Sequence, residues 1–331
     1  MTVQRRRWLQ MAAALAASAA WPLGAQGSDA FETLDLDWTD SVRRRAVPVR
    51  LYLPQSTRPL PLLVFSHGIG GSRRGYSWLG RHFASHGMAC LHLQHVGSDR
   101  QIWTGNVFNI VGRLQDAAQE DEAIARALDL RFALDTLLSG ASARRFDEQR
   151  IAAAGHSYGA NTTLLASGAR VVREGRVTAL RDERVRAAIV ISAPPFYGHD
   201  EPRKILQSVT VPSLHVTATE DIIRIPGYYS GAEDRVAVFD ATGGARKWLA
   251  VFEGGSHSMF TDRSGSGGAT LNPLVKEATR ALALAFLRGV FEGDETGLLE
   301  WPQHHAAILA RFVPARARQT ASQRGTALTT A

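Results

Sequence analysis

Residues 152–161 read Ala-Ala-Ala-Gly-His-Ser-Tyr-Gly-Ala-Asn, and Gly155-His156-Ser157-Tyr158-Gly159 within them fits G-x-S-x-G. In that pattern a strand turns sharply into a helix and exposes a serine hydroxyl at the top of a sheet. The serine is held at positive φ, and side chains two residues either side of it would collide, so both flanks are glycine. A serine hydroxyl is a weak nucleophile at neutral pH. It needs a neighbouring base, and the base needs an orienting acid. Both follow in the order Ser, acid, His. The acid candidates are Glu220 and Asp221 in Thr219-Glu220-Asp221-Ile222-Ile223-Arg224-Ile225-Pro226, and the base candidate is His257 in Glu253-Gly254-Gly255-Ser256-His257-Ser258-Met259-Phe260. Adjacent residues of an extended turn face opposite ways, so only one of the two carboxylates can meet His257.

Other chemistry is weakly signalled. Gly68-Ile69-Gly70 follows a strand signal, as a dinucleotide loop would, but Arg73 stands where the third glycine of G-x-G-x-x-G is required. His304 and His305 lack the spaced cysteine or carboxylate partners of a metal site. The single cysteine, Cys90 in Met88-Ala89-Cys90-Leu91-His92-Leu93, reads as packing in a buried strand and excludes an internal disulfide. No cofactor and no metal is expected, because a serine, a histidine and an acid complete the chemistry unaided.

The elements that must hold these residues alternate along the chain. Strands are expected at Glu32–Trp38, Ala46–Leu53, Leu60–Ser66, Met88–Gln94, Arg150–Gly155, Ala187–Ser192, Pro212–Ala218 and Lys247–Phe252. Helices are expected at Tyr76–His86, Leu114–Leu138, Ser157–Gly168 and Pro273–Val290, with a weaker one after Pro226. Strand and helix signals in alternation predict an α/β fold: a mostly parallel, eight-stranded sheet with helices on both faces. Ser157 then closes the fifth strand and opens a helix, and His257 lies on a loop after the eighth, at the same sheet edge. Only residues 193–211 separate the sixth strand from the seventh, which leaves no room for a large cap domain.

With these elements in place the chain resembles an α/β-hydrolase over residues 31–290. More narrowly, Val47-Pro48-Val49-Arg50-Leu51-Tyr52-Leu53-Pro54, Phe65-Ser66-His67-Gly68-Ile69-Gly70-Gly71-Ser72 and Ala84-Ser85-His86-Gly87 resemble the dienelactone-hydrolase-like group. That group is similar to platelet-activating-factor acetylhydrolases and bacterial polyester hydrolases. Dienelactone hydrolases carry a cysteine nucleophile where this chain has Ser157, a departure that touches the substrate and not the acyl-transfer chemistry. The resemblance implies that the loop after the third strand is the oxyanion loop, with the amides of Ile69 and Tyr158 converging on the developing oxyanion. It also implies that the acid is Asp221, since an aspartate followed by a few mostly apolar residues and then proline is the usual arrangement. His67 is expected to fix the oxyanion loop through hydrogen bonds, and His156 to point down into packing. Tyr76, Trp103, Phe196, Tyr197, Tyr228, Tyr229 and Phe260 are loop aromatics that could line a substrate cleft.

The chain has 331 residues, is 45% hydrophobic and carries a net charge of +7. Arg5, Arg6 and Arg7 supply three of those charges, and Arg311, Arg316, Arg318 and Arg324 supply four. Residues 28–310 are therefore balanced, with 31 basic against 31 acidic side chains, and the charge gives no nucleic-acid-binding face. Gln4-Arg5-Arg6-Arg7-Trp8-Leu9-Gln10 resembles a twin-arginine export signal, and the apolar stretch Met11–Ala20 after it is too short for a stable membrane span. Residues 1–26 are thus expected to be an export signal, 27–312 a catalytic domain and 313–331 a disordered polar tail. The reading is an exported, periplasmic or secreted serine hydrolase acting on small-molecule or polymeric esters through Ser157, His257 and Asp221. An acyltransferase or amidase using the same three residues, and a catalytically silent binding protein on the same fold, are the alternatives.

Overall fold

The computed structural model describes residues 31–140, 142–173, 176–199, 201–225, 227–262 and 268–315, so the expected export signal and the tail from residue 316 lie outside the described residues. Strands β1 (Phe31–Asp40), β2 (Arg45–Pro54) and β3 (Leu60–Ser66) lead to helix α1 (Ser77–Ser85) and strand β4 (Ala89–Leu93). Helices α2 (Ile110–Ala117) and α3 (Glu120–Ser139) precede β5 (Phe146–His156), which runs straight into α4 (Tyr158–Ala166). A small hairpin, β6 (Arg170–Arg173) and β7 (Arg176–Ala179), precedes β8 (Ala187–Ile191), α5 (Pro202–Leu206) and β9 (Ser213–Glu220). A second hairpin, β10 (Ile223–Ile225) and β11 (Tyr228–Ser230), is followed by α6 (Ala232–Ala241) and β12 (Lys247–Ser256). Helices α7 (Leu271–Phe291) and α8 (Thr296–His304) and strand β13 (Leu309–Val313) complete the chain.

The main sheet has the order β1-β2-β4-β3-β5-β8-β9-β12-β13. From β4 to β12 the strands run parallel; β2 and β13 run against them at the two edges, and β1 pairs antiparallel with β2 outside it. Every residue of β3, β4 and β8 is buried, as continuous apolar strands covered on both faces must be. Alternate residues serve opposite cores. Leu63 and Phe65 pack with Leu79 of α1 and Phe286 of α7, while Leu62 and Val64 pack with Leu130 and Leu134 of α3.

All eight expected strands are present, and the sheet has nine rather than eight. The ninth, β13, is a half-exposed edge strand that lacks a buried run, and its last residue, Val313, is where the polar tail was expected to start. The helix expected at Leu114–Leu138 is two helices. Gln119 is extended at φ −65° and ψ 156°, and Glu120, Asp121 and Glu122 then fill the first turn of α3, where acidic side chains favour a helix N-terminus. Among the described residues between β8 and β9 only the short α5 is helical, and they form no large cap.

Candidate active site

At the end of β5 the backbone turns at Ser157 with φ 55° and ψ −124°, a region that costs a non-glycine residue roughly 1–3 kcal/mol. The flanking glycines explain how the turn closes. A Cβ on Gly155 would strike the carbonyl of Gly159, and one on Gly159 would strike the carbonyl of Ser66 on β3. The Ser157 amide donates to the Ile191 carbonyl of β8 at 2.9 Å, which pins the turn to the neighbouring strand.

Ser157 Oγ lies 2.8 Å from His257 Nε2, and His257 Nδ1 lies 2.6 Å from Asp221 Oδ1. His257 follows β12 directly, where Gly254 and Gly255 adopt φ of 66° and 82° and the register against β9 shifts. The segment read as a loop is one turn of 3₁₀ helix, His257–Phe260, anchored by the buried side chains of Met259 and Phe260. Of the two carboxylates after β9, Asp221 is fully buried and meets His257, while Glu220 is exposed. Asp221 Oδ2 also accepts from Thr217 Oγ1 at 2.7 Å, and the buried Arg235 guanidinium stands 3.4 Å from Oδ1. Burial pushes the Asp221 carboxyl up, but the His257 hydrogen bond and the charges of His257 and Arg235 outweigh it and hold it well below the carboxylate range.

His156, one residue before the serine, is buried and bridges two parts of the site. Its Nε2–H donates to the His257 carbonyl at 2.9 Å, so Nδ1 is the acceptor and takes the Tyr76 hydroxyl proton at 2.8 Å. Burial, reinforced by His257, pushes its pKa down to about 3, which keeps it in this neutral form. His67 fixes the Gly68–Gly71 loop through hydrogen bonds, donating from Nδ1 to the Gly68 carbonyl at 2.7 Å and accepting the His95 amide at Nε2 at 3.1 Å. In that loop the Gly68 amide faces the Tyr76 hydroxyl, the Gly70 amide the Ser98 carbonyl and the Gly71 amide the Gly68 carbonyl. The Ile69 amide is the one between them with no acceptor among the described residues. The Tyr158 amide opens α4, where a helix donor has no intrahelical partner. Both residues line the space beside Ser157.

Arg126 was not legible as a site residue. Its fully buried guanidinium donates to the His67 carbonyl, to Thr162 Oγ1 at 2.9 Å and to Ser98 Oγ at 2.8 Å, and lies 4.5 Å over the Tyr158 ring. It thereby supports both ends of the expected oxyanion pair. The available signal was an arginine on the apolar stripe of α3, four residues before Leu130.

Two cavities meet at Ser157. The first, about 370 Å³, runs along α4 between Tyr158, Leu165, Val171 and Phe196; the second, about 590 Å³, is bounded by the Gly68–Gly71 loop, Trp103 and His257. Of the aromatics named from sequence, Phe196, Tyr197 and Tyr228 line the first cavity and Tyr76 and Trp103 the second. Phe260 is core, and Tyr229 is largely exposed. Cys90 is buried in β4, and burial raises its thiol well above the ordinary range. Among the described residues no three His, Cys, Asp or Glu side chains are grouped to hold a metal, and no helix is long and apolar enough to cross a membrane.

A sheet of this order, with a strained serine after β5, an acid after β9 and a histidine after β12, is the α/β-hydrolase fold. Residues 41–108 match the family of platelet-activating factor acetylhydrolase, isoform II, and include all three stretches that carried the resemblance. Platelet-activating factor acetylhydrolase of Cavia porcellus is 24% identical over 69% of this chain and 55% of its own length. Cutinase est2 of Thermobifida alba is 27% identical over 52% of this chain and 46% of its own, so the chain spans about half the length of the curated relatives it matches. In structure, a ferulic acid esterase from Streptomyces cinnamoneus superimposes with a TM-score of 0.64 at 22% identity, covering 87% of this chain and 98% of that one. The chain thus has the α/β-hydrolase fold and is similar in sequence to platelet-activating factor acetylhydrolases and cutinases.

Proposed function

We propose that the protein is a serine esterase that cleaves carboxylic esters through an acyl-enzyme, dienelactone-hydrolase-like in sequence but with serine as nucleophile. The unbroken relay from Ser157 through His257 to Asp221, at 2.8 and 2.6 Å, carries this reading. Ser157 Oγ attacks the ester carbonyl carbon and gives its proton to His257 Nε2. The carbonyl oxygen becomes an oxyanion that accepts from the amides of Ile69 and Tyr158, where one such donor is worth about 3–4 kcal/mol in the transition state. His257 then protonates the departing alkoxide. Asp221 accepts the Nδ1–H hydrogen bond throughout without taking the proton, fixing the tautomer and stabilising the imidazolium. Water, deprotonated by His257, attacks the acyl-enzyme and releases the acid and free Ser157. The relatives named for acetylhydrolase, cutinase and esterase activity support ester substrates, small or polymeric. Export through residues 1–26 is part of the same proposal. Hydrolysis of short p-nitrophenyl esters that disappears in Ser157→Ala tests it; wild-type protein with no esterase activity would leave the binding-protein alternative.

A further inference from the structure

Asn161 stands four residues on from Ser157, on the same face of α4, and its side chain lines the first cavity. It is only 6% exposed, and its Oδ1 is buried with no hydrogen-bond partner among the described residues. A buried amide oxygen left without a donor costs about 1–3 kcal/mol. The cavity wall is largely apolar, with Leu165, Val171, Pro194 and Phe196 in it, and also carries the polar side chains of Gln119, Glu120 and His199. The cavity can be assigned to one side of the ester. His257 protonates the leaving alkoxide and borders only the second cavity, so the alcohol part lies there and the acyl part lies along α4.

Resting on the ester-hydrolase reading, we propose that the first cavity selects acyl groups bearing a hydroxyl about 6 Å from the ester carbonyl, the helical rise from Ser157 to Asn161. A hydroxyl both donates and accepts, so it satisfies the Asn161 amide whichever of its two polar atoms faces the cavity. An unsubstituted alkyl or aryl acyl group leaves that amide buried against carbon. The hydroxyl can sit on a flexible chain or on a ring, about six bonds from the carbonyl carbon in a 6-hydroxyhexanoate and about five in a 4-hydroxybenzoate.

Two matched pairs test this: methyl 6-hydroxyhexanoate against methyl hexanoate, and methyl 4-hydroxybenzoate against methyl benzoate. For each pair the ratio of kcat/KM, hydroxylated over plain, is measured in wild type and in Asn161→Leu, which cancels the esters' intrinsic reactivity. The ratio is expected to fall about tenfold or more in the variant for at least one pair, and which pair responds separates chain from ring. Asn161→Ala serves if the leucine variant does not fold. Calorimetric binding of the same esters to Ser157→Ala, with and without the Asn161 change, repeats the comparison with no turnover. Inactive wild type would therefore sink the esterase reading while binding still decides the role of Asn161. Ratios within about twofold in both pairs, or binding that the Asn161 change leaves unmoved, would overturn the inference.

Discussion

Asp221 and Glu220 are neighbours of like chemistry, and burial separates them. Asp221 is sealed beneath His257 with Thr217 and Arg235 around it, whereas Glu220 reaches solvent. With an amide at position 221, the Thr217 hydroxyl would hold the amide oxygen and leave the NH2 facing Nδ1, so the imidazole would adopt the wrong tautomer, a change that cost about 10⁴ in kcat in a serine protease. Asp221→Asn is expected to lower kcat by at least about 10²-fold with the fold intact, and Glu220→Gln to stay within about threefold of wild type. Steady-state kinetics on one p-nitrophenyl ester checks both, and the opposite ranking would move the acid to Glu220. Spacing made Asp221 legible in the sequence. Asn161 and Arg126 were not, because a polar residue on a helix carries no mark of whether a cavity or another element will cover it.

At the scale of elements the sequence was most informative where burial is two-sided. β3, β4 and β8 read as short, mostly apolar runs, as strands covered on both faces do. It was least informative for β13 and α8, which are held by contacts from far along the chain. Trp301 of α8 donates to the Ala278 carbonyl of α7, and Pro302 sits inside α8 against its own propensity. The strands and their ends also carry an unusual load of buried histidine. Burial pushes His92 down to about 4 and His156 and His215 to about 3, and drives His67 and His95 well below their ordinary range. Folded pKa values below the unfolded one mean that the unfolded chain binds more protons in acid. The stability they contribute is present above about pH 6.5 and is lost as pH falls towards the folded values, at about 1.4 kcal/mol per histidine per pH unit. Thermal melting at pH 5.5 should therefore begin well below that at pH 7.5, by more than about 5 °C. Equal or higher melting in acid would mean that these histidines are not held neutral.

For the whole molecule, the two cavities on either side of Ser157 make one reaction trough, and short elements cover it: α2, the β10–β11 hairpin and the loop after β8. Such a cover leaves the cleft open to a substrate larger than the site itself. The proposed export fits a chain whose single, buried cysteine needs no oxidative folding, which suits transport in the folded state. If Arg5 and Arg6 form the twin-arginine pair, changing both to lysine in a bacterial host should leave folded, active precursor in the cytoplasm. Cell fractionation decides this, and an unchanged periplasmic yield would remove the twin-arginine route.

Activation of Ser157 by His257 is most directly tested by a fluorophosphonate probe followed by intact-protein mass spectrometry, on wild type and on Ser157→Ala. One probe adduct per wild-type chain is expected, located on Ser157, with none on the variant, and ester turnover in the variant reduced by a factor on the order of 10⁶. An adduct that persists on Ser157→Ala, or ester hydrolysis that survives the substitution, would contradict it.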